Sequence, residues 1–424
     1  MIRPDAPVAV VGAGLAGLSC AVALHEAGVP VQVFEASDGV GGRVRTDHVD
    51  GFTLDRGFQV ALTAYPEMHR QLDMAALDLQ AFDPGALVWR NGRGSVVGDP
   101  FRRPMTALST ATAPIGSVSD KARIAWLRHR LRRVHPVRLL QGPDGSTRDA
   151  LVEAGFSDAI LERFFQPLVG GIQLDPELSD SHRMFDIIFR MLADGDSAVP
   201  ATGMQAIPDQ LAAKLPAGSI RLGARVTATT ATSVSVDGGA EEVAAAVIVA
   251  TEGPAAARLL DLGEVESKSV GAVYFSAAEA PIDSKLVVLD GTSRGPVLNV
   301  AVMSNVAPTY APPGRHLVVA AMPGHVGDGL EGAARTQLRS WWGPTVDTWD
   351  HVRTYRIDHG QPRQRPPFHP KRPVALDDGR FVCGDHRDTA SIQGAMFSGR
   401  RCGLAVAAAM GHTGPHGRRD DEHT

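Results

Sequence analysis

Residues 8–46 read VAVVGAGLAGLSCAVALHEAGVPVQVFEASDGVGGRVRT. Val8 to Val11 form a short apolar strand that runs straight into Gly12-Ala13-Gly14-Leu15-Ala16-Gly17. A helical stretch follows, stops at Gly28, and leads to a second strand, Val31 to Phe34, closed by Glu35 and Ala36. Each part suits a dinucleotide. Gly12 permits a tight turn, Gly14 lets the backbone approach a diphosphate, and Gly17 lets the helix lie close to the sheet. Leu15 and Ala16 open that helix, whose free N–H groups and partial positive charge favour phosphate. Glu35, 18 residues past Gly17, can accept from ribose hydroxyls and repel a 2′-phosphate. A bare GxGxxG is weak; one set in a strand–turn–helix–strand–acid unit is a specific signal.

Six residues after Glu35 come Gly41-Gly42-Arg43, then Arg45-Thr46. Two glycines let the chain pass under an extended ligand, and a guanidinium can hold a diphosphate by paired hydrogen bonds. This pair of motifs resembles the signatures of the FAD-binding superfamily of flavin amine oxidases, protoporphyrinogen oxidases and phytoene desaturases. The resemblance implies an α/β fold. It has a Rossmann-like FAD domain assembled from discontinuous segments and an α+β substrate domain.

Three stretches carry the resemblance onward. Asp55-Arg56-Gly57-Phe58-Gln59 lies where the superfamily's chain passes beside the isoalloxazine ring. There Phe58 offers an apolar wall, Gln59 a hydrogen-bonding group and Gly57 a close backbone approach. Residues 200–226, PATGMQAIPDQLAAKLPAGSIRLGARV, are similar to the stretch that re-enters the FAD domain, with a strand ending at Val226 near the adenine. A run from Val243 to Ala250 closes on Thr251. Last, Phe381-Val382-Cys383-Gly384-Asp385 precedes Thr389-Ala390-Ser391-Ile392-Gln393-Gly394-Ala395 and a helix. In the superfamily this aspartate meets the ribityl and pyrophosphate region, and the helix start faces the flavin. A helix N-terminus there stabilises negative charge on a reduced flavin. The implied cofactor contacts are therefore Gly12, Gly14, Leu15, Ala16, Gly17, Glu35, Ala36, Gly41 to Arg43, Gly57 to Gln59, Val226, Thr251, Gly384, Asp385, Ser391, Ile392, Gln393 and Ala395. His386 and Arg387 follow as flavin-face candidates, and no catalytic side chain is assigned.

The resemblance divides the chain into an FAD domain (1–65, 200–266 and 375–412) and a substrate domain (66–199 and 267–374). A polar tail, 413–424, is expected to be disordered. A second GxGxxG, Gly327 to Gly332, starts after its strand has ended near Met322 and reads as a loop. Within KARIAWLRHRLRRV, 121–134, Ile124, Leu127, Leu131 and Val134 share one helical face and arginines occupy the others. That pattern fits best a helix covering the substrate domain; a peripheral membrane contact and a basic rim that attracts anionic substrates stay open.

Composition narrows the classes. The chain has 424 residues, 44% hydrophobic and 21% charged, with formal charge −5, an ordinary soluble balance that gives no reason to expect nucleic-acid binding. No apolar export core or 18-residue apolar run appears, so a cytoplasmic location is the default. Three cysteines, Cys20, Cys383 and Cys402, are too few and too scattered for a disulfide framework or metal cluster. Neither Cys383 nor Cys402 stands where covalent amine oxidases attach flavin, so FAD is expected to be noncovalent and no metal is expected.

Superfamily members pass a hydride equivalent from substrate to flavin N5. The positions before the last Gly-Ala read Ala390-Ser391-Ile392-Gln393, without the aromatic of amine oxidases, and Lys268 and Lys285 stand in the wrong context for their lysine. The segment from Arg353 to Gln364 is more similar to porphyrinogen oxidases and carotenoid desaturases. The expectation is dehydrogenation or desaturation of a small, apolar or cyclic substrate, with dioxygen or a quinone reoxidising the flavin. An amine oxidase, an NAD dehydrogenase and a flavin-binding protein without turnover stay open.

Overall fold

A computed structural model describes residues 6–412; the tail expected at 413–424 lies outside the described residues. Its organising element is a five-stranded parallel sheet. The order is Ile220–Arg221, Val31–Phe34, Val8–Val11, Val247–Val249 and Phe381–Val382. Three separated stretches of chain therefore build one sheet. The strand Val8–Val11 is buried throughout, as a parallel strand covered on both faces must be. Val8 and Val10 pack with Leu18 and Leu24 of the helix Leu15–Glu26. Ala9 and Val11 pack the other way, with Val234 and Ala244.

The helix Leu15–Glu26 ends as expected: Gly28 takes the positive φ (+76°) that follows a helix C-terminus. Against it lies the C-terminal helix Ile392–Ala409, whose Ser391 side chain accepts from the Gly394 N–H as N-cap. The two helices touch backbone to backbone. A Cβ on Gly399 would stand 2.0 Å from Ala16 O, and one on Gly403 2.6 Å from Cys20 O.

The run expected as one strand from Val243 to Ala250 is two strands in different sheets. Glu241–Val243 belongs to a three-stranded antiparallel sheet, and Val247–Val249 to the parallel one. The chain turns through buried Ala244 to Ala246, alanines small enough to be covered on both sides. Val226 likewise opens a strand, Val226–Thr229, rather than ending one; Gly223 (φ +66°) separates it from Ile220–Arg221.

A seven-stranded sheet stands beside the first. It runs Asp350–Pro362, Ser267–Ala277, His316–Pro323, Asn299–Val302, Val287–Asp290, Gly85–Arg90, Arg93–Gly98. Only the pairing of Val287–Asp290 with Gly85–Arg90 is parallel, which joins the two stretches on either side of the 200–266 segment. The helix Leu330–Trp342 covers one face through Leu330, Ala334 and Leu338. It begins after a loop from Gly324, so the second GxGxxG has no strand at its first glycine.

Helices fill most of the chain between the strands Arg93–Gly98 and Ser197–Pro200. Among them is Val118–Arg133, started by a capping box between Ser117 and Asp120. Leu127 and Leu131 on its apolar face are buried, so that face is used by the fold. Arg128 departs from the expected outward face. Its side chain is 11% exposed and pairs with Asp99 at 3.0 Å.

Candidate functional site

The ends of the central strands and the loops between the two sheets enclose one cavity of about 1280 Å³. Its first end is lined by Gly12, Gly14, Leu15 and Ala16, by Glu35 and Ala36, and by Gly41, Gly42 and Arg43. Gly12 is at φ +105°, and Gly17 is forced: a Cβ there would stand 1.9 Å from Gly12 O. Gly17 therefore packs the helix onto the turn and does not face the cavity. Gly14 has no neighbour near its missing Cβ, whereas a Cβ on Gly42 would stand 3.3 Å from Gly14 Cα. Two bare backbones thus border the same space.

Glu35 closes this end. Its Oε2 accepts from Ala13 N at 2.7 Å, and its Oε1 accepts from Ser37 N (2.8 Å) and Ser37 Oγ (2.7 Å). Arg43 Nη1 donates to Gly360 O at 2.9 Å. Arg43 Nη2 lies 2.8 Å from Asp385 Oδ1, close enough for an ion pair, although that oxygen lacks an aligned hydrogen-bond donor. Burial opposes the charge on both groups, yet each favours the other's ionised form, and Asp385 sits below the usual carboxylate range. Arg45 also lines the cavity, with its buried Nε unpartnered. An extended dianionic ligand matches this set: two glycine backbones, two arginines and a ribose acceptor.

Val226 and Thr251 line the same space beside Ala224 and Glu252, and Gly384, Asp385, Ser391, Ile392 and Ala395 line the stretch beyond. Gly57, Phe58 and Gln59 face it from the other side. Gln59 is engaged differently from the expectation: its Nε2 donates to Arg43 O and Arg56 O, both at 2.8 Å. It braces the Gly-Gly-Arg loop.

Besides Gly17, three expected residues do not line the cavity. Gln393 Oε1 accepts from Glu67 N at 2.9 Å and so caps the helix Pro66–Gln71. Its place on the first turn of its own helix turns it outward. His386 is buried against Gly253 and Gly384 with both ring nitrogens unpartnered, and burial pushes its pKa down to about 4. Arg387 donates from Nη2 to Pro373 O at 2.6 Å.

Asp55 does not line the cavity but supports its wall, a role that sequence reasoning passed over. It is buried, and accepts from Thr46 Oγ1 (2.6 Å), Met204 N (2.8 Å) and Tyr310 OH (2.8 Å), while Tyr274 OH donates to Asp55 O at 2.8 Å. This network ties the 55–59 loop to the strand Ser267–Ala277 of the seven-stranded sheet and to the 200–226 stretch. Burial raises the carboxyl to about 6. The available signal was an acid ending the short strand Phe52–Asp55, in which Phe52 and Leu54 alternate with Thr53.

The far end of the cavity is apolar. Phe58, Phe82, Phe164, Leu168, Phe189 and Leu192 line it, with Ile124 from the basic helix. Its rim carries Asp99, Phe101, Arg102, Lys121 and Arg128. Lys268 is elsewhere, in a buried ion pair with Asp180.

Comparison with known proteins decides the family. A family model described as flavin containing amine oxidoreductase matches residues 15–406. The chain belongs to that family. The coproporphyrinogen III oxidase of Propionibacterium freudenreichii is 32% identical over 178 residues, 40% of this chain and 32% of that one. The carotenoid phi-ring synthase of Streptomyces griseus is 35% identical over 134 residues, 28% of this chain and 25% of that one. The matched stretches thus span about a third or less of these relatives. An oxidoreductase from Methanosarcina mazei superposes with TM-score 0.71 at 19% identity, covering 93% of this chain and 99% of that one. The cyclohexylamine oxidase of Brevibacterium oxydans IH-35A gives 0.70 at 16%, covering 96% and 100%. These two share the fold. The chain is thus a flavin oxidoreductase family member with the discontinuous α/β architecture expected of it.

Proposed function

We propose that the chain is an FAD-dependent oxidoreductase that dehydrogenates or desaturates an apolar or cyclic substrate, with FAD held noncovalently. FAD is assigned to the glycine-lined end, in a domain made of 1–65, 200–266 and 375–412. Substrate is assigned to the aromatic end, enclosed by 66–199 and 267–374. The single observation that carries this reading is the continuity of the two ends in one cavity. Flavin supplies two-electron oxidation of the substrate; the protein's part is to hold, orient and dry the reacting groups.

In this assignment the Gly12–Gly17 turn, Arg43 and Arg45 take the diphosphate, and Glu35 the ribose. Ser391 and Ile392 begin the helix aimed at the ring. Phe58 and its aromatic neighbours exclude water and accept a flat or extended hydrocarbon face. Amines are disfavoured on electrostatic grounds. The carboxylates at the apolar end already have arginine partners: Asp83 with Arg103 at 2.7 Å, Asp99 with Arg128, and Asp196 with Arg102. A buried ammonium would lose its hydration without an unpaired counter-charge. Dioxygen or a quinone is assigned as electron acceptor.

The cavity mouth bears on where substrate is met. Phe101, Met105, Leu108, Val118 and Trp126 are exposed at 62%, 95%, 76%, 80% and 65%, five of the eight large apolar side chains so exposed among the described residues. They sit on the segment that forms the rim, among arginines and Lys121. This favours a peripheral contact with a lipid surface made by these residues, and not by the apolar face of 121–134. No helix among the described residues is long and apolar enough to cross a membrane.

The test is anaerobic reduction of the FAD-loaded protein. Porphyrinogen or polyene substrates should bleach the flavin and primary amines should not; bleaching by amines alone would favour the amine oxidase reading.

A further inference from the structure

The chain has three cysteines, and although scattered in sequence they meet in space. Cys20 lies in the dinucleotide helix, Cys383 directly follows the last strand of the parallel sheet, and Cys402 lies in the C-terminal helix. Their sulfur atoms are all within 4.8 Å of one another, and each residue is fully buried. The cause is the backbone contact of the two helices at Gly399 and Gly403, which leaves room between them only for small side chains.

We propose that Cys20, Cys383 and Cys402 form a trigonal thiolate site for a soft closed-shell cation of the copper(I) kind. Three sulfurs each ~2.3 Å from one ion stand about 4.0 Å apart, within the spacing observed. Structural zinc takes four ligands, and no fourth histidine, cysteine, aspartate or glutamate joins this group among the described residues. Three sulfurs and no oxygen ligand select a soft ion. Binding replaces thiol protons with the ion and releases them, without electron transfer.

The ion would join three segments that the flavin reading places around the cofactor: the turn helix, the Gly384-Asp385 strand and the C-terminal helix. The site stands on the cysteine geometry alone and does not depend on that reading. Three buried cysteines acting only as small apolar side chains are the alternative.

The experiment is anaerobic titration of the purified FAD-loaded protein with copper(I) in the presence of bicinchoninate as competitor. The expected result is one ion retained per chain, an X-ray absorption spectrum with sulfur neighbours only, and a raised midpoint of thermal unfolding. Cys402→Ala and, separately, Cys20→Ala should lose retention while keeping their FAD. No retained ion in the folded wild type, or equal retention in a variant that keeps its FAD, would overturn the proposal. Wild-type retention decides the matter even if both variants fail to fold.

Discussion

Arg43 Nη2 and Asp385 Oδ1 lie 2.8 Å apart, joining the Gly-Gly-Arg motif near the N-terminus to the Gly-Asp motif near the C-terminus. Both residues line the cavity. Its partners are unequal in exposure: the arginine side chain is 30% exposed and the aspartate 5%. Asp385→Ala would leave a poorly solvated cation, a change that typically costs about 3–5 kcal/mol. Arg43→Ala should lower FAD affinity roughly 10- to 100-fold through lost charge-assisted bonds. Flavin content and thermal midpoint check both, with Arg133→Ala on the exposed helix as control. Equal flavin content in Arg43→Ala and the control would remove Arg43 from the site.

Gln59 gives a prediction of a different kind. Both donors of its amide go to backbone carbonyls, Arg43 O and Arg56 O. Gln59→Ala should loosen the Gly-Gly-Arg loop and weaken FAD binding by about 1 kcal/mol per lost bond. The rate of reduction at saturating FAD should stay near wild type. A large fall in that rate with FAD affinity unchanged would make Gln59 a substrate contact.

Stability should respond to pH through three buried groups. Burial pushes His359 and His386 from 6.5 down to about 4, so they fold as neutral rings. Their contribution is full above pH 6.5 and drains away as pH falls towards 4, because only the unfolded chain binds those protons. Asp55 works in the opposite sense. Burial raises it from 3.8 to about 6, so its contribution is full below 3.8 and lost as pH rises through 6. Two histidines against one carboxyl make these three groups together contribute a loss of about 1.4 kcal/mol per pH unit on acidification from 6 to 4 in the FAD-free protein, while Asp290 and Asp388, also raised by burial, oppose it. Denaturant midpoints should fall accordingly, and His386→Gln should flatten the profile. An unchanged slope in that variant contradicts the account.

The exposed rim predicts lipid association. Wild-type protein should sediment with anionic vesicles at low salt, and Leu108→Ser with Trp126→Ser should reduce this at least several-fold without changing FAD content. Loss of sedimentation in Arg133→Ala alone, with the double serine variant unaffected, would mean that charge and not the apolar rim makes the contact.

Local signals explain what was readable in the sequence. Gly12, Gly17 and Glu35 each have a backbone or hydrogen-bonding reason to sit where they do, and those reasons operate within a span of 24 residues. The helix Leu330–Trp342 follows from simple periodicity, with Leu330, Ala334 and Leu338 on its buried face. What was missed depends on distant partners. Val243 to Ala250 reads as one apolar strand, but two different sheets claim its ends. Arg128 reads as an outer-face residue until Asp99 arrives from another segment. The meeting of Cys20, Cys383 and Cys402 has no signature in sequence spacing, because helix packing at glycines creates it.

The central claim is that three separated segments hold one FAD without a covalent bond. The most direct measurement is the flavin of the purified chain, quantified before and after acid precipitation. The account predicts a yellow protein with one flavin per chain, all of it released to the supernatant and identified as FAD by mass. A colourless protein that takes up no FAD on titration, or flavin that stays with the precipitate, would contradict it.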